Sequence, residues 1–297
     1  IQLNYINSLA KLININIFLL DVKTNSFIQF GSLIYSKINH SNTNSLCFLF
    51  SKKLNSNYKL ITAEIIFGFS LRSYVFDKYK KNKNNSITLA IVGIDNNKEN
   101  RYLANLLKAI NYTKDLISEP ANILTPKFFA NKCLSLKKIG LKIKILDLRD
   151  LKKIGMRSLL GVAQGSVNEP RVVVFEWNLK SSSKPSILVG KGVTFDTGGI
   201  SIKPSQGMEE MITDMGGSAV VVGSMINAAL NKSNHSIVGI IGLVENMPDG
   251  KAQRPGDIIK SLSGKTIEIL NTDAEGRLIL ADALTFVGKY KPSYVID

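Results

Sequence analysis

Histidine and cysteine are scarce in this chain of 297 residues, with two of each. His40 and His235 are too few for a histidine-based zinc site and leave little room for a Ser-His-Asp triad. His235 falls in a polar stretch between a helical and a strand-like segment and reads as solvent-exposed. Cys47 and Cys133 lie far apart in no metal-binding spacing. That argues against a disulfide framework and makes a reducing, cytoplasmic compartment the default. Each reads as a small thiol, buried or partly buried. No apolar run approaches the roughly 18 residues that cross a bilayer, so no membrane partner is expected. The run 17–20 is short and sits between Asn16 and Asp21. The opening residues carry no signal-peptide pattern.

Acids are in short supply as well: 23 Asp and Glu against 38 Lys and Arg give a formal net charge of +15. Such an excess points first to nucleic acid or an anionic surface. Its distribution argues otherwise. Residues before Lys191 carry 28 basic and 11 acidic side chains, whereas those from Lys191 onward carry 10 and 12. The basic region is also crowded with Asn, Lys and Ile, the bias an A+T-rich genome leaves without selection for a binding surface. One stretch keeps the nucleic-acid reading open: Lys78-Tyr79-Lys80-Lys81-Asn82-Lys83, where an interleaved aromatic suits base stacking. A solvated helix end is its plainer reading.

Hydrophobic content of 44% and charged content of 21% are those of an ordinary globular protein. The length suits one large domain or two modest ones. Residues 1–62 read as short strands and a helix, broken by polar clusters such as 39–45. A helix over 64–80 would pack Phe67, Leu71 and Phe76, with a strand following at 86–92. Leu103, Leu106, Leu107 and Ile110 recur at helical spacing and predict a helix over 99–117, ended by Pro120. It would link a smaller N-terminal α/β domain over 1–110 to a second domain over 111–297. In the latter, helices (128–138, 216–231) mix with strands (142–146, 171–177, 187–189, 237–243). The expected fold is an α/β/α sandwich around a mixed, largely buried central sheet. No internal repeat is present.

The chemistry gathers late in the chain. Asn271-Thr272-Asp273-Ala274-Glu275-Gly276-Arg277-Leu278 places two carboxylates and a guanidinium on alternate residues, which share one side if the backbone is extended. Two carboxylates together need a compensating cation: a metal, or Arg277 pairing with both. Upstream, the apolar run 187–189 leads into Gly190-Lys191-Gly192-Val193-Thr194-Phe195-Asp196-Thr197-Gly198-Gly199, a strand entering a glycine-rich loop that would present Asp196 and Lys203. A further acid, Asp214, follows. Oxygen ligands gathered from separate segments suit divalent ions. Gly264-Lys265-Thr266 resembles the end of a P-loop, but position 259 is Ile where that motif needs Gly, so it is rejected.

These stretches closely resemble the leucyl aminopeptidases, the cytosolic two-metal exopeptidases. Lys191 and Asp273 stand 82 positions apart with Asp196, Lys203 and Asp214 between them, as in that family. Further agreement lies in Ser118-Glu119-Pro120-Ala121-Asn122-Ile123-Leu124-Thr125-Pro126, Gly161-Val162-Ala163-Gln164-Gly165-Ser166, Glu245-Asn246-Met247-Pro248, and Arg254-Pro255-Gly256-Asp257 leading to Ser263-Gly264-Lys265-Thr266. The resemblance runs from about Ala63 to Asp297. It implies that Asp196 and Glu275 bridge two divalent ions, Mn2+ or Zn2+. Asp273 would complete one site, and Asp214 with Lys191 the other. A lysine ligand must be neutral, so Lys191 would need a lowered pKa; from the residues alone it would be a salt-bridge partner of Asp196. Lys203 is implied as the cation that stabilises the tetrahedral oxyanion, and Arg277 as the holder of a bicarbonate general base. Met211 matches a position lining the pocket for the substrate's first side chain; ordinary helix core is its bland alternative. The implied activity is release of N-terminal, Leu-like residues from peptides by a two-metal hydroxide mechanism, in a cytoplasmic homohexamer.

The chain departs from the family at its ends. It stops at Val295-Ile296-Asp297, where the family's strand continues into the rest of the catalytic domain, and nothing matches before about Ala63. The expectation is a fragment whose catalytic domain is incomplete at the C-terminus and which, expressed alone, folds poorly. Two other classes compete: a nucleic-acid-binding relative, and a catalytically inactive scaffold.

Overall fold

The structure, a computed structural model, describes residues 2–6, 12–16, 26–38, 45–49, 58–81, 87–92, 98–180 and 184–297. His40, the run 17–20, residues 39–44 of the polar cluster, and Asn82 and Lys83 lie outside them. The chain divides into two compact units, Ile1–Leu107 and Lys108–Asp297.

In the first unit β1 (Gln2–Ile6), β2 (Leu12–Asn16), α1 (Phe27–Ile38), β3 (Ser45–Leu49), α2 (Tyr58–Arg72) and β4 (Thr88–Val92) precede α3 (Lys98–Ser118), which runs across the boundary. β1 and β2 pair antiparallel, β3 and β4 parallel. Ile34 and Ile38 of α1 pack with Ile65 and Phe69 of α2. Tyr35 and Phe48 meet the Phe69 ring edge-on, at centroid distances of 5.3 and 5.4 Å. The helix expected over 64–80 therefore starts earlier and ends at Arg72. Phe76 lies beyond it, its ring 6.0 Å from that of Tyr79. Lys78 stands over the Tyr79 ring, so this aromatic is engaged by its own neighbours. Cys133 is buried, as expected, but Cys47 is exposed: it sits on a strand of a two-stranded sheet, where little covers it.

The second unit continues with α4 (Pro126–Leu134), β5 (Lys142–Leu146), α5 (Leu148–Ile154), α6 (Arg157–Ala163), β6 (Arg171–Trp177), β7 (Ser186–Asp196), α7 (Gly216–Leu230), β8 (Ile237–Asn246), β9 (Ile258–Lys260), β10 (Thr266–Glu268), α8 (Glu275–Val287) and β11 (Tyr294–Ile296). Thr125 caps α4, its hydroxyl accepting from the Phe128 N–H, with Pro126 in the first turn. Five strands form one mixed sheet in the order β11-β7-β8-β6-β5. β7 runs parallel to β8 and to β11, while β6 is antiparallel to both β8 and β5.

Alternation along the strands builds a core on each face. On β6, Val172 and Val174 join one cluster with Leu159, Ile240, Ile279 and Phe286; Val173 and Phe175 join the other with Phe129, Val222, Met225 and Ile241. Helices α6 and α8 thus cover one face, and α4 and α7 the other. Each such side chain, fully buried, contributes about 1.5–3 kcal/mol. The result is a central mixed sheet flanked by helices. β11 is an edge strand whose three residues are all exposed. No helix among the described residues is long and apolar enough to cross a membrane.

Candidate metal centre

The parallel strands β7 and β8 end side by side, with Asp196 in register with Asn246. The crevice beyond the carboxyl ends of parallel strands is where open α/β sheets bind ligands. Further residues reach it from β7 itself and from two other segments. Lys191 sits within β7, Asp214 lies two residues before α7, and Glu275 opens α8, where the helix N-terminus favours a carboxylate.

The segment 271–278 is not extended. Thr272 and Asp273 form a turn and α8 starts at Glu275. The two acids consequently turn to different lysines. Lys191 Nζ lies 2.5 Å from Asp214 Oδ1 and 2.9 Å from Glu275 Oε1. Lys203 Nζ lies 3.1 Å from Asp196 Oδ2 and also pairs with Asp273 Oδ1. The partners of Lys191 are therefore Asp214 and Glu275, not the Asp196 that sequence proximity suggested. Arg277 is exposed on the first turn of α8 and clamps neither Asp273 nor Glu275. Met211 is half-buried on a short 3-10 helix (Met208–Thr213), three residues before Asp214. His235 is exposed, as expected.

One oxygen each from Asp196, Asp214 and Glu275 lie within 4.8 Å of one another. Asp273 stands outside that trio and is joined to it through Lys203. The second oxygens of Asp214 and Glu275 are buried without a hydrogen-bond partner. Four carboxylates face two ammonium groups, which leaves the cluster short of positive charge. Unpartnered buried carboxylate oxygens are costly, and a divalent cation is the group that satisfies them. The donor set therefore fits hard, oxygen-binding metal ions.

The electrostatics show the same deficit. Burial pushes the Asp214 carboxyl up to about 6, against the pull of Lys191, with the Glu275 and Asp196 charges adding to the rise. Burial works to lower the Lys191 ammonium, but hydrogen bonds and charge from Asp214 and Glu275 outweigh it, and the net direction is upward. Lys203 is likewise held up by Asp273 and Asp196 in spite of burial. In this arrangement Lys191 is a cation, opposite to the neutral amine a metal ligand must be. The cause is its two anionic neighbours; a cation seated between those acids would reverse the sign.

The loop after β7 is held by a tight glycine turn and by Thr272. Gly198 has φ +86°, and a Cβ there would lie 2.4 Å from the Ser201 carbonyl oxygen. Thr272 Oγ1 donates to the Gly198 carbonyl at 2.6 Å and accepts from the Ser201 N–H at 2.8 Å. These contacts tie the Lys203 loop to the turn that carries Asp273. Nothing in the sequence announces this clasp; a threonine between an asparagine and an aspartate gives no sign of which backbone groups it will meet.

Together the fold and the acidic cluster define an α/β protein with a candidate divalent-metal centre at the carboxyl ends of its parallel strands. Residues 111–297 match the profile of the cytosol aminopeptidase family, catalytic domain, and the chain belongs to that family. It is 50% identical over 248 residues to a probable cytosol aminopeptidase of Brucella anthropi, covering 79% of this chain and 50% of that protein. To a probable cytosol aminopeptidase of Rhodopseudomonas palustris it is 44% identical over 287 residues, covering 93% of this chain and 57% of the other. Among solved structures it is similar to a cytosol aminopeptidase from Coxiella burnetii, with a TM-score of 0.83, 29% identity, and coverage of 100% of this chain and 62% of that one. It is also similar to the bottromycin maturation enzyme BotP in complex with Mn, with a TM-score of 0.81, 27% identity, and coverage of 96% and 62%. The chain thus spans about half the length of the curated relatives it matches.

Proposed function

We propose that this chain carries the metal-holding, catalytic part of an aminopeptidase that releases N-terminal, Leu-like residues from peptides. The observation that carries this reading is the trio Asp196, Asp214 and Glu275, with two buried carboxylate oxygens left without partners, in a chain belonging to the cytosol aminopeptidase family. Lys191, Asp196, Asp214, Asp273 and Glu275 would hold two divalent ions, Mn2+ or Zn2+. Manganese is supported by the Mn complex of the related BotP structure. Bound there, such ions supply Lewis acidity and make water a stronger nucleophile at neutral pH.

The chain's own residues do the remainder. Lys203, a cation held between Asp196 and Asp273, would donate to the oxyanion that develops on the scissile carbonyl. Arg277, exposed and clamping neither neighbouring acid, would hold a small anion such as bicarbonate, which would supply a general base there. Met211 contributes to the pocket for the first side chain, where selectivity amounts to about 1–3 kcal/mol per methylene. Residues 1–110 form the smaller N-terminal domain and 111–297 the catalytic one. A cytoplasmic homohexamer is the proposed working form of the whole protein.

The test is hydrolysis of a leucyl chromogenic substrate with added Mn2+ or Zn2+, comparing the chain with Glu275→Ala. Metal-dependent turnover that the substitution abolishes supports the reading. Equal turnover in both, or turnover that a chelator leaves intact, refutes it.

A further inference from the structure

Asn246 is buried at the end of β8, with 4% of its surface exposed. Its motif, Glu245-Asn246-Met247-Pro248, carries no role in the chemistry above. The side-chain Nδ2 lies 2.8 Å from Asp196 Oδ1 and 3.1 Å from the Thr272 carbonyl oxygen. Both partners are acceptors only, so the amide is oriented with its NH2 toward them. One side chain therefore spends both its N–H donors on two different segments of the site: the end of β7 and the turn that carries Asp273. Its main-chain carbonyl also accepts from the Thr197 N–H at 3.0 Å and the Thr197 hydroxyl at 2.9 Å, fixing the first residue of the Lys203 loop.

We infer that Asn246 is a positioning residue that sets the orientation of the Asp196 carboxylate for a divalent cation. This rests on the reading of the acidic cluster as a metal centre. Asp196 Oδ1 accepts from Asn246 Nδ2 and from the Gly198 N–H, each at 2.8 Å, while Oδ2 faces Lys203. Two neutral donors on one oxygen hold the plane of the carboxylate without cancelling its charge. That is the job of an outer partner to a metal ligand, and its loss lowers affinity by about 10–100-fold. The same amide holds the Thr272 carbonyl, so Asp273, one residue on, keeps its place relative to Asp196. Remove the amide and Asp196 keeps only the Gly198 N–H on that oxygen, free to pivot toward Lys203.

Calorimetric titration of the full chain with Mn2+ tests this, with Asn246→Leu as the variant, because leucine keeps the branched shape and removes both donors. Asn246→Ser, smaller and retaining one donor, is the second variant should the first not fold. A weakening of Mn2+ affinity of about 10–100-fold in the leucine variant, and less in the serine one, is expected. The rise in melting temperature on adding Mn2+ should shrink in parallel. A purely structural residue would lower the melting temperature equally with and without Mn2+ and leave the affinity alone. Wild-type affinity in the folded leucine variant, or in the serine variant if leucine does not fold, overturns the role of Asn246 while leaving the metal centre standing. No Mn2+ uptake by the wild-type chain overturns both.

Discussion

Lys191 Nζ stands 2.5 Å from Asp214 Oδ1, joining the middle of β7 to the turn that precedes α7. The same ammonium reaches Glu275 Oε1 at the start of α8. One lysine thus neutralises part of a cluster assembled from three distant segments, and its proton is held more tightly than usual by those two acids. A divalent ion bound by Asp214 and Glu275, with Lys191 as a ligand, must expel that proton. Apparent metal affinity should therefore rise with pH across the neutral range, because deprotonation of Lys191 becomes cheaper as its pKa is approached. Titrations in buffers of differing ionisation enthalpy should show proton release on Mn2+ uptake. Affinity independent of pH, without proton release, would mean that Lys191 stays an ammonium beside the metal.

Gly276 makes the space that Lys191 occupies. A Cβ at this position would lie 2.8 Å from Lys191 Cε and 2.9 Å from Cδ. Gly276→Ala adds about 1 kcal/mol of helix propensity to α8, yet it pushes the lysine off its two carboxylates. The flexible tail gives way more readily than backbone, so the unfolding free energy should change by less than about 1 kcal/mol. Mn2+ affinity should fall about tenfold or more. A variant with unchanged affinity would show that the lysine's position is immaterial.

Asp282 is an acid of the opposite kind, fully buried but remote in role from the cluster. Its Oδ2 accepts from the Ser158 and Leu159 N–H groups at the start of α6, at 2.9 and 3.0 Å, and its Oδ1 from the Leu262 N–H at 2.7 Å. Asp282→Ala strands two buried donors and one part-buried donor and should cost about 2–4 kcal/mol in urea unfolding. The loss should be the same with and without Mn2+. A loss confined to the Mn2+-loaded protein would place Asp282 in the metal site instead.

Burial pushes the Cys133 thiol up to about 12. Cys47 is exposed. A thiol reagent at pH 8 should therefore label Cys47 and spare Cys133 until the chain unfolds. The sign of the stability effect follows. A raised thiol pKa stabilises the fold below the unfolded value near 9, and that contribution is lost as pH rises from about 9 toward 12. Equal labelling of both cysteines in the folded chain would contradict the burial of Cys133 in the core between α4 and the sheet.

Much of the second unit could be read from its residues. β5 and β6 occupy 142–146 and 171–177 as expected, because β5 alternates lysine with isoleucine and β6 centres on the apolar, largely β-branched run 172–175. β7 extends to Asp196, well past the expected 187–189, since Gly190 and Gly192 continue the ladder with β8 where strand propensity is low. α8 was not expected; alternate charges in the octapeptide share one side only if it is extended, whereas Gly276 and Arg277 sit in the first turn of a helix whose apolar face packs on the sheet. Of the site, the acids stood out by type and by their grouping in two segments, while the roles of the lysines came only from the family resemblance. Which lysine meets which acid was not legible, because those pairs depend on how β7, α7 and α8 converge. Asn246 was equally hidden, since a buried asparagine shows its worth only through the acceptors it meets.

Metal content is the most direct test of the centre. The chain, equilibrated with Mn2+ and freed of excess ion, should retain two manganese per chain, and Glu275→Gln one or none, when both are folded and assayed by elemental analysis. Retention of no metal by the wild-type chain, or of the same amount by both proteins, would contradict a metal centre built on Asp196, Asp214 and Glu275.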